Sequence, residues 1–322
     1  MACSKSYIVC STGGQVKIFD KNLHLIQIVK GVKYVYKCLI SPNEKKLLLV
    51  SIANFFYIVE LDTFRITKHM IRGKYSDNLE GRGCWLLSGN GCCFGVCSKQ
   101  EVKSALRIYD DIQKDRYREL LCDKYFLTSI LAIPKRNTYL LVGYDDTSDK
   151  NYLIWYNGKI FEEFLVQESD KIGLVQHVKY DENDDCCIVI GSDGTVICRP
   201  DGTTINKLVL PQNDKKTSSF VDVFKRVDFE DENRKEVLDL MEQLSLKNLF
   251  IPDMVIDVSY LNNGKYLCAA TLNGVLCINT ETNKLEAAKD YPYGVKNIET
   301  VDEDLLLITT WDSVELLRLV CD

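Results

Sequence analysis

The chain has 322 residues, a formal net charge of −6 and a hydrophobic share of 46%, the balance of an ordinary soluble globular protein. The acidic balance argues against a uniformly basic nucleic-acid surface, and no apolar run approaches the ~20 residues of a membrane-spanning helix. The first residues, MACSKSYIVCSTGG, lack the basic start and long apolar core of a secretory signal, so a cytoplasmic protein with no nucleic-acid or membrane partner is expected.

The opening segment reads SYIVCST, GG, QVKIFD and LHLIQIVK: three short apolar runs joined by turn residues. It matches the second to fourth strands of a four-stranded meander, with the first strand missing. Residues 33–71 supply a full unit, YVYKCLI, KLLLVSI, FFYIVEL and RITKHMI, in runs of the usual strand length. The third unit, residues 83–122, reads CWLLS, CCFGVCS, ALRIYD and YRELLC. Alternation places Cys93 and Cys97 on one sheet face with Gly95 between them.

The fourth unit, residues 126–167, and the fifth, residues 173–211, repeat the pattern, with tight turns at Ser192-Asp193-Gly194 and Asp201-Gly202. Residues 212–252 break it. Val237, Met241 and Leu244 fall at i, i+4 and i+7 with Leu238 and Leu249 near that face, Glu230-Asp231-Glu232 precedes the helix where its dipole favours acid, and Pro252 closes the segment. This is read as a helical insertion between the fifth and sixth units. Its seven basic and nine acidic residues do not suit phosphate-backbone recognition. The sixth unit, Met254–Ala287, is the clearest, with turns at Asn262-Asn263-Gly264 and Asn273-Gly274. The last, residues 294–321, supplies only VKNIETV, DLLLITTW and VELLRLV.

A repeat of about 40 residues holding four short strands is the sequence signature of a β-propeller. One meander cannot bury both of its faces alone, whereas neighbouring meanders cover each other. The expected fold is therefore an all-β propeller of four-stranded antiparallel blades, one domain over residues 1–322 with the insertion at 212–252. Seven blades are expected, the first and last with three strands each; six blades sharing a composite blade is the alternative.

The third strand ends in an aromatic or apolar residue followed by Asp at Phe19-Asp20, Leu61-Asp62 and Tyr109-Asp110, and Tyr156-Asn157 is a weaker match. In this the chain resembles the WD40-repeat family of propellers over nearly its whole length apart from the insertion. It departs from that family in lacking Gly-His at the unit starts, and its Trp311-Asp312 lies between second and third strands. The His/Asp/Trp network of the family is not expected.

Meander order places the loops after first and third strands on one face, and all of them are short. The long loops, residues 72–82, 99–104, 145–151 and the insertion, fall on the other. Loops on a rigid scaffold commonly carry binding, and the resemblance implies that this face meets a protein partner. Candidate partner-binding residues are Asp145, Asp146, Asp149 and Lys150 with Leu238, Met241, Leu244 and Phe250 of the insertion.

Catalysis has little support. The three histidines are His24, His69 and His177. Only His177, in a first strand, has a candidate partner, Asp257 in the next first strand; a polar pair lining the propeller channel is the plainer reading. No GxSxG, HExxH or phosphate-binding loop occurs. The 14 cysteines include no CxxC, and nothing implies an oxidising compartment, so Cys84, Cys92, Cys93 and Cys97 are read as buried thiols. A non-catalytic interaction protein without metal or cofactor is expected; a channel-based enzyme or small-ligand binder is the alternative.

Overall fold

The computed structural model describes residues 1–322 other than 13, 99–102, 115, 183, 209–254, 273, 292–293, 311–312 and 320–322. The first sheet joins β1 (Ala2–Cys3), β2 (Ile8–Thr12), β3 (Gln15–Phe19) and β4 (Leu25–Lys30). The second joins β5 (Val35–Ile40), β6 (Lys46–Ser51), β7 (Phe55–Glu60) and β8 (Ile66–Met70). The third holds β9 (Gly83–Trp85), β10 (Cys92–Cys97), β11 (Ser104–Tyr109) and β12 (Arg118–Leu120). The fourth holds β13 (Phe126–Ile133), β14 (Thr138–Asp145), β15 (Lys150–Tyr156) and β16 (Phe161–Leu165). The fifth has β17 (Val175–Asp181), β18 (Cys186–Gly191), β19 (Thr195–Cys198) and β20 (Thr204–Lys207). The sixth has β21 (Val255–Leu261), β22 (Tyr266–Thr271), β23 (Gly274–Asn279) and β24 (Lys284–Asp290), and the seventh β25 (Val295–Asp302), β26 (Leu305–Thr310) and β27 (Val314–Arg318).

Among the described residues seven meanders follow in sequence, six of four strands and one of three; the fold is a seven-bladed β-propeller. The first sheet corrects the expectation of three strands there. Ala2 and Cys3 pair with Val9 and Ile8, a two-residue strand too short to carry alternation. It is held from outside: Glu44 accepts the Ser6 backbone N–H at 3.0 Å and the Ser6 hydroxyl at 2.6 Å. The loop expected at 145–151 also proves shorter, since β14 and β15 run on to leave only the turn Asp146–Asp149. One short helix, α1 (Ser169–Ile172), joins the fourth sheet to the fifth. The insertion at 212–252 lies outside the described residues.

The described chain falls into two compact units, Met1–Val189 with Ile197–Ile205, and Ile190–Val196 with Asn206–Asp322. In the first unit the side-chain period of two explains why KLLLVS reads as a continuous apolar run. Leu47 and Leu49 of β6 join Val9, Val16 and Ile18 of the first sheet. Leu48 and Val50, between them in sequence, join Phe94, Val96 and Ala105 of the third. A middle strand covered on both faces needs apolar residues at every position. The same holds for β10, whose Cys92 and Phe94 face the second sheet while Cys93 packs with Leu127, Ile130 and Leu141 of the fourth. In the second unit, Cys268, Ala270 and Cys277 of the sixth sheet pack on Ile298, Leu306 and Ile308 of the seventh.

The Asp or Asn at the end of the third strand, or just after it, has a local job. The Asp20 carboxylate accepts the backbone N–H groups of Asn22 and His24, both at 2.8 Å. The Asn157 side chain accepts those of Lys159 and Ile160, and Asn279 those of Glu281 and Thr282. These side chains stand in for a backbone carbonyl and fix the turn into the fourth strand.

Phe94 is fully buried and stacks on Phe56 with ring centroids 4.6 Å apart. Phe94→Ala should destabilise the protein by about 3–5 kcal/mol, the usual range for deleting a buried aromatic ring. Chemical denaturation of wild type and variant checks this; a loss under ~1 kcal/mol would mean that the second and third sheets do not share this core.

Candidate functional site

The segment 72–82, between β8 and β9, is the long described loop of the first unit. Its anchors are backbone groups left unpaired by the turn between β6 and β7. Ile71 donates to the Asn54 carbonyl at 2.8 Å, Leu79 to Ala53 at 3.1 Å and Gly81 to Ser51 at 3.2 Å. Ser51 itself is buried and bonds Ala53 and Phe55 through its hydroxyl. On the other side Asp77 donates to the Cys97 carbonyl at 3.3 Å, and Tyr75 pairs with Ser98. The loop is thus stitched to the second and third sheets along its length.

Two buried arginines lie beneath it. Arg82 is 4% exposed; its Nη1 donates to the Leu127 carbonyl at 2.9 Å, its Nε to Leu79 at 3.2 Å and its Nη2 to the Cys97 sulfur at 3.0 Å. Glu80 balances its charge at 3.0 Å, and the guanidinium lies 4.6 Å from the centre of the Phe126 ring. Arg82 therefore ties the loop, the third sheet and the fourth sheet together. Arg107 is fully buried in β11, paired to Glu119 of β12, donating to the Tyr75 carbonyl at 2.9 Å and lying 4.0 Å from the Tyr117 ring centre. A buried cation is tolerated only with such partners.

Nearer solvent, Asp123 accepts from Lys74 Nζ at 2.7 Å and from the Tyr75 hydroxyl at 2.8 Å. The Lys74 bond, then the Tyr75 bond, hold the Asp123 carboxyl below its usual range. Burial, then the bond to Asp123, pushes the Tyr75 phenol up to about 12.

Above this framework sit three exposed apolar side chains: Tyr34 (61% exposed), Tyr36 (68%) and Ile52 (45%). Ile52 donates its N–H to the Tyr34 carbonyl at 2.9 Å. The Tyr36 ring rests on Gly81, whose φ is +73° and where a Cβ would fall 2.2 Å from the ring. The Tyr34 ring centre is 6.5 Å from that of Phe55, over which Lys68 Nζ sits at 3.8 Å. Lys33 and Arg72 are exposed at the margins. The result is an aromatic patch with a basic border on a rigid base.

The residues expected to bind a partner divide between this face and the insertion. Asp146 pairs with Lys103 at 3.0 Å. Asp149 accepts from Tyr144 at 2.8 Å, and Asp145 caps its own turn through Thr147 and Ser148. The Ser148 hydroxyl, then the Thr147 amide, hold Asp145 low. Lys150 begins β15 opposite Asp145. The three carboxylates thus serve local structure. Leu238, Met241, Leu244 and Phe250 lie outside the described residues.

The polar candidates are also accounted for. His24 bonds Asp20 at 2.9 Å in an exposed turn, and His69 stacks on Phe56 with ring centres 4.9 Å apart. His177 is in β17 of the first unit, whereas Asp257 is in β21 of the second. Asp257 is buried and accepts the backbone N–H groups of Val258 at 2.9 Å and Ile298 at 3.0 Å, linking the inner strands of the sixth and seventh sheets. Cys84, Cys92, Cys93 and Cys97 are buried free thiols; Cys84 and Cys93 face each other across the β9–β10 ladder with sulfurs 3.3 Å apart. Burial pushes the Cys92 thiol well up. Among the described residues no group of three or more His, Cys, Asp or Glu is placed to hold a metal ion.

Similarity to solved structures supports the fold. The β-propeller domain of Cps50 (Swd1) from Myceliophteria thermophila matches with a TM-score of 0.63 at 12% identity, covering 99% of each chain. Hydrazine synthase of Kuenenia stuttgartiensis matches with a TM-score of 0.70 at 11% identity, over 99% of this chain and 95% of that one. The dihydro-heme d1 dehydrogenase NirN matches with a TM-score of 0.63 at 10% identity, over 99% of this chain and 62% of that one. No known protein-family profile and no curated protein matches the sequence. These neighbours share the propeller fold, and they include a β-propeller domain, a hydrazine synthase and a dehydrogenase.

The Lys74–Asp123–Tyr75 cluster generates a pH prediction. A carboxylate with a depressed folded pKa stabilises above its unfolded value, near pH 4. That stabilisation is lost as pH falls through the folded value. Hydrogen exchange of residues 72–82, corrected for intrinsic rates, should show constant protection from pH 7 to about 5 and a fall below ~4. Asp123→Asn should remove the acid step and speed tryptic cleavage after Lys74 several-fold at neutral pH. An unchanged cleavage rate would show that the cluster does not hold the loop.

Proposed function

We propose that this chain is a non-catalytic, cytoplasmic WD40-like propeller that binds a protein partner through the face carrying residues 72–82. The observation that carries this reading is a group of exposed side chains, Tyr34, Tyr36 and Ile52, whose Tyr36 ring rests on Gly81 of a loop fixed by buried Arg82 and Arg107. Rigid aromatic residues with an apolar body and a polar tip are the usual anchors of protein interfaces. Preorganisation beneath them lowers the entropy lost on binding. The basic border of Lys33, Lys68 and Arg72 suits a partner with acidic residues around an apolar centre. The thirteen free cysteines among the described residues accord with a reducing compartment. The similarity to the Swd1 propeller domain supports the propeller fold on which this reading rests.

Tagged wild type and the double variant Tyr34→Ser/Tyr36→Ser should be compared by quantitative affinity capture from native lysate, with Ile205→Ser as a control at an exposed site elsewhere. An anchor worth about 2 kcal/mol corresponds to a roughly thirtyfold loss of affinity. At least one abundant partner should be retained by wild type and Ile205→Ser and lost by the double variant. Equal recovery by all three would contradict the proposal.

A further inference from the structure

Among the free cysteines of the described residues, three pairs face each other across neighbouring strands. Cys84 and Cys93 are opposed in the third sheet, with sulfurs 3.3 Å apart. Cys187 of β18 and Cys198 of β19 share a hydrogen bond in the fifth. Cys268 of β22 and Cys277 of β23 are opposed in the sixth and share another. Cysteines adjacent in sequence, such as Cys92 and Cys93, point to opposite faces of their strand and cannot meet.

The sixth-sheet pair has the geometry and the access to react. The Thr280 N–H donates to the Lys265 carbonyl at 3.0 Å, so alternation along the β22–β23 ladder makes Cys268 and Cys277 a non-hydrogen-bonded pair. Such pairs have Cα atoms about 4.5 Å apart, inside the ~4.4–6.8 Å that a disulfide spans. Rotating the two side chains joins the sulfurs without moving the backbone. Directly opposite Cys277 on its other side, and so on the same face, is the exposed Ala287 of β24. In that row only a methyl group lies between Cys277 and the outer edge of the sheet. The Cys268 S–H donates to the Cys277 sulfur and holds that thiol below its usual range. The same bond, then burial, pushes Cys268 up. Cys277 is thus the sulfur nearer the edge and the richer in thiolate, the reacting form. The third-sheet pair is the contrast. There the residue opposite Cys93 on the outer side is buried Ile108, and the bond with Cys84, then burial, pushes Cys93 well up.

From this placement we infer that Cys268 and Cys277 form a reversible thiol–disulfide couple whose oxidant is a small hydroperoxide. The Cys277 thiolate attacks one peroxide oxygen, the O–O bond breaks, and the other oxygen leaves as an alcohol (water, from hydrogen peroxide) with the proton that Cys277 gave up. Cys277 is then a sulfenic acid. The Cys268 sulfur attacks it, the S–O bond breaks, and the hydroxyl leaves as water with the Cys268 proton. The two thiols together have given two electrons to the O–O bond. A small dithiol reverses the step by exchange and is itself oxidised. The disulfide staples the β22–β23 hairpin on the face that packs against Ile298, Leu306 and Ile308 of the seventh sheet. It also restricts the unfolded chain, so oxidation stabilises the fold. These residues lie in the sixth sheet, whereas the protein-binding reading rests on the second, so each stands without the other.

The test uses the full reduced chain and hydrogen peroxide at neutral pH. Free thiols are alkylated at intervals, and unreduced digests are read by mass spectrometry. A peptide pair joined through Cys268 and Cys277, lighter by two hydrogens, should form at least about tenfold faster than one joined through Cys84 and Cys93. Dithiothreitol should remove it. The oxidised protein should melt several degrees above the reduced one. Cys268→Ala, oxidised alike, should not, because Cys277 then stops at the sulfenic acid, which dimedone labels. Cys277→Ala should leave Cys268 unlabelled. The wild-type time course decides the matter even if a variant fails to fold. No link between Cys268 and Cys277 while the exposed Cys122 is oxidised, equal rates for the two pairs, or a link only between molecules would overturn the proposal.

Discussion

The structure depends on covering two apolar faces per sheet. Leu47 and Leu49 face one way and Leu48 and Val50 the other, so the second sheet is unstable unless flanked on both sides. An antiparallel meander with this pattern cannot stop at one copy. Each added sheet covers one exposed face and offers another, which is why the fold is a repeat. The outer strands do not share the constraint. β8 and β24 are mostly exposed and carry charge, because one strand beyond the core there is little left to cover.

That same constraint leaves the ends of the strands free for other work. At one end of the first unit, backbone groups of Ser51, Ala53 and Asn54 are met by residues 71–81, so a long loop becomes part of the scaffold. Arg82 and Arg107 extend this arrangement inward, each satisfying carbonyls that no ladder reaches. The stiffness of the loop is thus built from hydrogen bonds below it, and the aromatic side chains of Tyr34 and Tyr36 stand on a base that does not have to order on binding.

Most of the strand plan was legible in the sequence because period-two alternation and turn residues are local signals. Seven units, their hairpins and the three-strand last sheet follow from them. The first strand was not legible, since Ala2–Cys3 is two residues long and depends on Glu44, distant in sequence, to hold the turn behind it. The aspartates at 145, 146 and 149 looked like a binding cluster, yet a tight turn, Lys103 and Tyr144 take up their oxygens. Tyr34 and Tyr36 flank Val35 in a way that reads as ordinary alternation, and neither their exposure nor the bulge between Val35 and Lys37 is revealed by pattern alone. Arg82 and Arg107 carried no signal because the carbonyls of Leu127 and Tyr75 and the rings of Phe126 and Tyr117 are brought to them only by folding.

Backbone hydrogen exchange across the whole chain at neutral pH tests the two-faced burial most directly. The account predicts the slowest exchange in the middle strands β6, β10, β14 and β22, and exchange faster by orders of magnitude in the outer strands β8, β16 and β24. Outer strands as protected as the middle ones would contradict it, because protection would then come from something other than cover on both faces.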